Sequence, residues 1–142
     1  MIRTVIDTNV LIGAVLSQEG GDNRRVLRAC LEGRVRPLVG QALYCEYEDV
    51  LSRQELFRRC PLSAGERSDL LDALLSVSEW VKIYYSWRPN LRDEADNHLV
   101  EFAVAGAADW IVTNNTRDLL SGDLRFPGIG IVKPHELLKE LL

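Results

Sequence analysis

The sequence predicts a three-layer α/β/α fold around a central parallel sheet of about four or five strands. Two observations carry this. Short apolar runs rich in β-branched residues stop at polar or glycine-rich turns, and longer stretches between them repeat their apolar positions at helical spacing. The short runs are nearly continuous in hydrophobicity, as expected of strands covered on both faces, and strands alternating with helices build a parallel sheet.

Ile2 to Ile6 is the first strand, stopping at Asp7-Thr8-Asn9, and Val10 to Leu16 continues as a helix. Gln18 to Asn23 is a polar break. In Arg24 to Glu32, Val26, Leu27, Cys30 and Leu31 recur at helical spacing, and Gly33 supplies a stop. Arg34 to Val39 is a second strand. Gln41 to Arg53 is helical through Leu43, Tyr47, Val50 and Leu51, and a break at Pro61 precedes a helix from Ser63 to Ser78, where Ser63 and Glu66 fit a capping box. Val81 to Trp87 is strand-like, Asp93 to Gly106 helical, and Trp110 to Thr113 a buried strand ending at Asn114-Asn115. A last strand, Ile129 to Val132, leads through Pro134 into a final helix. No repeat or linker divides the 142 residues, which read as a single domain, 1–142.

Seventeen Lys plus Arg against 21 Asp plus Glu leave a net charge of -4, which argues against a broadly basic nucleic-acid coat but allows a local one. Cys30, Cys45 and Cys60 contain no Cys-x-x-Cys pair and read as small buried thiols. No apolar stretch approaches the roughly 20 residues that span a bilayer. The expectation is a cytoplasmic chain with no membrane partner.

In an open parallel sheet, ligands bind beyond the carboxyl ends of the strands, so the polar residues there are inspected first. Asp7, Thr8 and Asn9 follow the first strand; Thr113, Asn114 and Asn115 end a later one, with Asp118 a turn further on. Each of these sites also suits a helix cap. On the helix from Gln41, Glu46 lies at the edge of the apolar stripe, roughly 85° from its centre, with Glu48 and Asp49 further round, at about 115° and 145°. Glu46 reads either as a functional acid or as a boundary carboxylate paired with an Arg. Asp93 and Asp96 project from one side of a helical turn, where they serve the helix start or hold a divalent cation. Carboxylates from chain-distant places converging on one crevice would bind Mg²⁺ or Mn²⁺, hard cations that prefer oxygen ligands. With His98 inside a helix and His135 after Pro134, a histidine-pair nuclease fits poorly.

Four stretches then carry a resemblance: Val5 to Leu11, Glu46 to Arg53, Asp93 to Asn97, and Ala108 to Leu120. In this order and at this spacing they resemble PIN-domain nucleases, in particular the PIN-family toxin components (VapC-like) of prokaryotic toxin-antitoxin systems. The resemblance implies a metal-dependent endoribonuclease using Mg²⁺ or Mn²⁺, with Asp7, Glu46 and Asp96 as metal-coordinating acids and Asp93 as a neighbouring carboxylate. It implies that Thr8 and Thr113 stand beside the metal, that cleavage leaves a 5′-phosphate and a 3′-hydroxyl, and that the partners are RNA, a small antitoxin and a second copy of the chain. Where many members read Thr-x-Asp, this chain has Asn115, and its nearest carboxylate is Asp118. That leaves open one metal or two, and an active enzyme or a PIN-like module that binds without turnover.

For the RNA backbone the candidates are Arg24, Arg25 and Arg28 in a segment, Asn23 to Arg36, of local charge +4, seconded by Arg53, Arg58 and Arg59. The apolar helix Leu70 to Val77 is either core or a dimer surface. A receiver-type phosphoacceptor domain or a haloacid-dehalogenase-like phosphatase would need a second acid beside or two residues after Asp7, where Thr8 and Asn9 stand.

Overall fold

The computed structural model describes residues 2–17, 21–82, 94–116 and 128–141, with the backbone alone for 94–98. Strand β1 (Ile2–Ile6) leads into α1 (Thr8–Leu16) and α2 (Asp22–Leu31), and β2 (Val35–Val39) into α3 (Gln41–Leu51) and α4 (Ala64–Ser76). Then come β3 (Glu79–Trp80), α5 (Glu94–Ala105), β4 (Trp110–Val112), β5 (Gly130–Val132) and α6 (Pro134–Glu140). The five strands form one parallel sheet in the order β3-β2-β1-β4-β5, flanked by helices in a three-layer α/β/α arrangement. This order differs from the 2-1-3-4-5 order of flavodoxin-like folds, a second reason beyond Thr8 and Asn9 to set a receiver domain aside.

The local signals explain most boundaries. Ser63 caps α4: its hydroxyl accepts the Glu66 N–H at 3.2 Å and the Glu66 carboxylate accepts the Ser63 N–H at 3.0 Å, completing the expected capping box. Gly33 takes a φ of +79°, a left-handed conformation that ends α2 with little strain in glycine. Helix α1 starts earlier than expected, so Thr8 and Asn9 lie in its first turn and Asp7 at its N-cap. Buried residues of every strand but β3 join those of the helices in one core, from Val5 and Ile6 to Leu38, Leu74, Ile111 and Leu137. Leu71 and Leu74 of α4 belong to it, and Leu70 and Leu75 pack against it, so this stripe is core.

One element is misplaced by the sequence. The third strand of the sheet is Glu79–Trp80, paired with Leu38 and Val39; of the expected strand Val81 to Trp87, Val81 and Lys82 fall after it and 83–87 lie outside the described residues. The charge on Glu79 hid it: the carboxylate forms an ion pair with Arg3 of β1, which also donates through Nε to the Gly106 carbonyl at 3.0 Å. Cys45 is a further departure, since it is exposed, whereas Cys30 is buried and its thiol is pushed up to about 12 by burial.

Candidate active site

The crossover direction reverses beside β1: the chain moves outward through β2 and β3, then returns to β4 on the opposite flank. At such a switch point the loops part and leave a crevice beyond the strand ends. Asp7 stands there at the end of β1, its N–H donating to the Val112 carbonyl of β4 at 3.0 Å. Thr113 to Asn115 stand opposite, at the end of β4.

Asp7 occupies the N-cap position of α1, yet its side chain makes no capping hydrogen bond. Its Oδ2 instead accepts from the Thr113 hydroxyl at 2.7 Å and from Asn9 Nδ2 at 3.2 Å. Burial raises the carboxyl above its ordinary range; the Thr113 hydrogen bond opposes this, the charge of Glu46 adds to it, and the N–H groups of Thr8 and Asn9 pull it back. Burial prevails, so Asp7 carries its charge at a cost.

Glu46 of α3 is half-buried, while Glu48 and Asp49 are exposed, as the helical phase predicts. Its Oε1 accepts the Thr8 hydroxyl at 2.7 Å, so the partner described is a threonine and not an arginine. Each acid thus has one oxygen held by a threonine of the opposing element. Tyr47, next in sequence, is 1 % exposed and donates its hydroxyl to the Ile6 carbonyl, immediately before Asp7. It ties the two acid-bearing elements together from below. The sequence marked it as part of the apolar stripe, and its place beside Glu46 was the only hint of more.

Amides surround the acids. Asn9 Oδ1 accepts the backbone N–H of Asn114 at 3.1 Å, which turns its Nδ2 toward Asp7 and Thr113. Asn115 donates its N–H to the Thr113 hydroxyl oxygen at 3.1 Å. The arginines of α2 divide. Arg24 donates through Nε to the Ala14 carbonyl at 3.2 Å, satisfying a carbonyl in the last turn of α1, Arg25 lies 3.5 Å from Asp22, and Arg28 is exposed. Arg53, Arg58 and Arg59 are exposed, with Arg53 paired to Asp49 at 2.7 Å.

Asp96 lies in the first turn of α5. The far end of that helix reaches Gly106, held by Arg3 near the start of β1, so α5 begins toward the carboxyl ends of the strands. Asp93 and Asp118 lie outside the described residues. Among the described residues no three His, Cys, Asp or Glu side chains converge closely enough to hold a metal. Asp7 and Glu46 do bring two carboxylates close enough to raise the proton affinity of Asp7, a pairing that a hard cation would relieve.

A family profile described as PIN domain matches residues 3–117. The chain belongs to the PIN domain family. The match takes in Asp7, Glu46, Asp93 and Asp96 and stops one residue short of Asp118. PIN domains are in general nucleases, hydrolases acting on nucleic acid, and they typically use divalent metals. No curated protein matches the chain. Among the described residues no helix is long and apolar enough to cross a membrane.

Proposed function

We propose that this PIN domain is a divalent-metal-dependent endoribonuclease, in which Asp7, Glu46 and Asp96, with Asp93 beside them, hold Mg²⁺ or Mn²⁺. The observation that carries the reading is the Asp7 carboxylate: at a helix N-cap it turns to the Thr113 hydroxyl of the neighbouring strand end, and it is half-buried beside a second acid. A carboxylate kept in so costly a place gains by binding a cation. Oxygen donors alone, from carboxylates and threonine hydroxyls, suit a hard ion. When bound, the ion supplies a lowered pKa for water and neutralises charge on the phosphodiester.

The chain's own residues do the rest. Thr113 and Asn9 orient Asp7, Thr8 orients Glu46, and Tyr47 keeps β1 and α3 in fixed relation. Arg25 and Arg28, both exposed on α2, are the cations of the three proposed there that are left to meet the RNA backbone. By the same reading the chain is the toxin of a toxin-antitoxin pair, cytoplasmic, a homodimer, and restrained by a small antitoxin. Asn115 supports a second reading, since it supplies a neutral amide where many members carry an acid: a PIN-like module that binds RNA or a protein partner with little or no turnover.

Incubation of single-stranded RNA with the protein and Mn²⁺ or Mg²⁺ separates the two. Cleavage that stops with EDTA and in Asp7→Asn supports the enzyme. RNA binding with no cleavage over a range of sequences, or cleavage indifferent to Asp7, supports the module.

A further inference from the structure

The hydroxyl that holds Asp7 belongs to a turn that is itself held from outside. Thr113 to Asn115 follow β4, and the side chain of Asn114 reaches across to helix α2: its Nδ2 donates to Asn23 Oδ1 at 3.0 Å. Its backbone N–H donates to Asn9 Oδ1, and its Nδ2 lies 3.5 Å from the Asn9 oxygens. The amides of Asn9 and Asn23 therefore grip Asn114 from two elements far away in sequence. The turn so gripped places the Thr113 hydroxyl 2.7 Å from Asp7 Oδ2.

Asn23 can reach Asn114 because α1 carries Gly13 beneath it. A Cβ at Gly13 would lie 2.2 Å from Asn23 Nδ2 and 2.8 Å from its Cγ. Glycine in a helix interior is unfavourable for the helix itself, and the close approach of the Asn23 amide accounts for its presence here.

We propose that Asn23 and Asn114 form a positioning bridge that fastens the Thr113 turn to α2 and so keeps the Thr113 hydroxyl aimed at Asp7. The inference rests on the reading of Asp7 as a metal ligand. Neither amide is a catalytic residue; both act through Thr113. Loss of one hydrogen bond of ordinary net strength corresponds to about a fivefold change in an equilibrium. A rise of about that size in the Mn²⁺ dissociation constant is the expected effect of Asn23→Ala or Asn114→Ala. Asn23 acts as an acceptor, so Asn23→Asp keeps the bridge and restores wild-type affinity. Gly13→Ala gives the sharpest contrast, because alanine favours the helix while its methyl displaces the Asn23 amide: Mn²⁺ affinity falls although thermal stability holds or rises.

The experiment combines calorimetric Mn²⁺ titration, amide hydrogen exchange at Asn114 and Asn115, and thermal unfolding of the full chain and these four variants. Faster exchange and weaker Mn²⁺ binding in Asn23→Ala, Asn114→Ala and Gly13→Ala, with Asn23→Asp like wild type, is the expected result. If the wild-type chain binds Mn²⁺ and these three variants bind it equally well, or exchange is unchanged, the bridge alone is overturned. If the wild-type chain binds no Mn²⁺, the metal reading falls and takes this one with it.

Discussion

Replacing Tyr47 by Phe removes one oxygen from the floor of the site and leaves the ring in place. Ring burial is unchanged, so the cavity term that dominates most core substitutions is small. What remains is the Ile6 carbonyl, which loses the phenol as donor in a region where Ile6 is 2 % and Tyr47 1 % exposed. Leaving a buried polar group without its partner costs about 1–3 kcal/mol. For a chain of this length each kcal/mol moves the unfolding midpoint by roughly 3–4 °C, so a drop of about 7 °C is expected near the middle of the range. Tyr44→Phe is the internal control, because its hydroxyl bonds Glu48 at the surface, and about 0.5 kcal/mol at most is expected there. Thermal and urea unfolding of both variants, with the urea slope unchanged, is the assay. Equal shifts for the two, or a Tyr47→Phe midpoint within about 1 °C of wild type, would refute the reasoning.

The same residue sets an alkaline signature. Burial, and then the charges of Asp7, Cys30 and Glu46, hold the Tyr47 phenol well above its ordinary value of 10. Above pH 10 the unfolded chain releases this proton while the folded chain keeps it, so stability falls with rising pH. Phe has no such proton, and the deficit of Tyr47→Phe is expected to narrow as pH passes 10.

Asp7 has the opposite relation to its substitution. Its folded-state carboxyl is raised above 3.8, so the charged form costs stability at neutral pH and this cost disappears below the unfolded value. Metal-free Asp7→Asn is therefore expected to unfold at a higher temperature than wild type at pH 7, to lose that advantage below about pH 3.8, and to lose metal-dependent cleavage. Arg67, 5 % exposed, donates to the Leu51 and Leu62 carbonyls at 3.1 Å and lies over the Phe57 ring. Arg67→Ala is expected to cost about 3 kcal/mol in urea unfolding, since a buried and a part-buried carbonyl lose their donor and the ring its cation. Arg24→Ala is expected to cost about 1 kcal/mol of stability, whereas Arg28→Ala leaves stability intact and lowers the salt slope of RNA affinity by about 1.

Periodicity located most elements because each strand or helix carries its own pattern. It failed at Glu79–Trp80, where the strand consists of a charged and an exposed residue and is made by its neighbours: Leu38 and Val39 offer the hydrogen bonds, and Arg3 compensates the carboxylate. At the site, helical phase placed Glu46 half-buried and its acidic neighbours exposed. Charge density alone grouped Arg24 with Arg25 and Arg28, and it could not foresee that Arg24 turns inward to a carbonyl of α1.

The sequence by itself determined the parallel α/β class, because burial on both faces leaves its mark in local hydrophobicity, and it determined which acids follow strands or edge a helix. Only the tertiary structure decided what Asp7 does at its N-cap. A carboxylate that caps its helix and one that turns to a neighbouring strand share one local sequence, and here the choice depends on Thr113, 106 residues away, lying beside it once β4 takes its place against β1. The Thr8 bond to Glu46 and the Asn114 bond to Asn23 follow the same rule, spanning 38 and 91 residues. Helix phase is legible in the neighbouring residues, but the strand order that brings such side chains into reach is not.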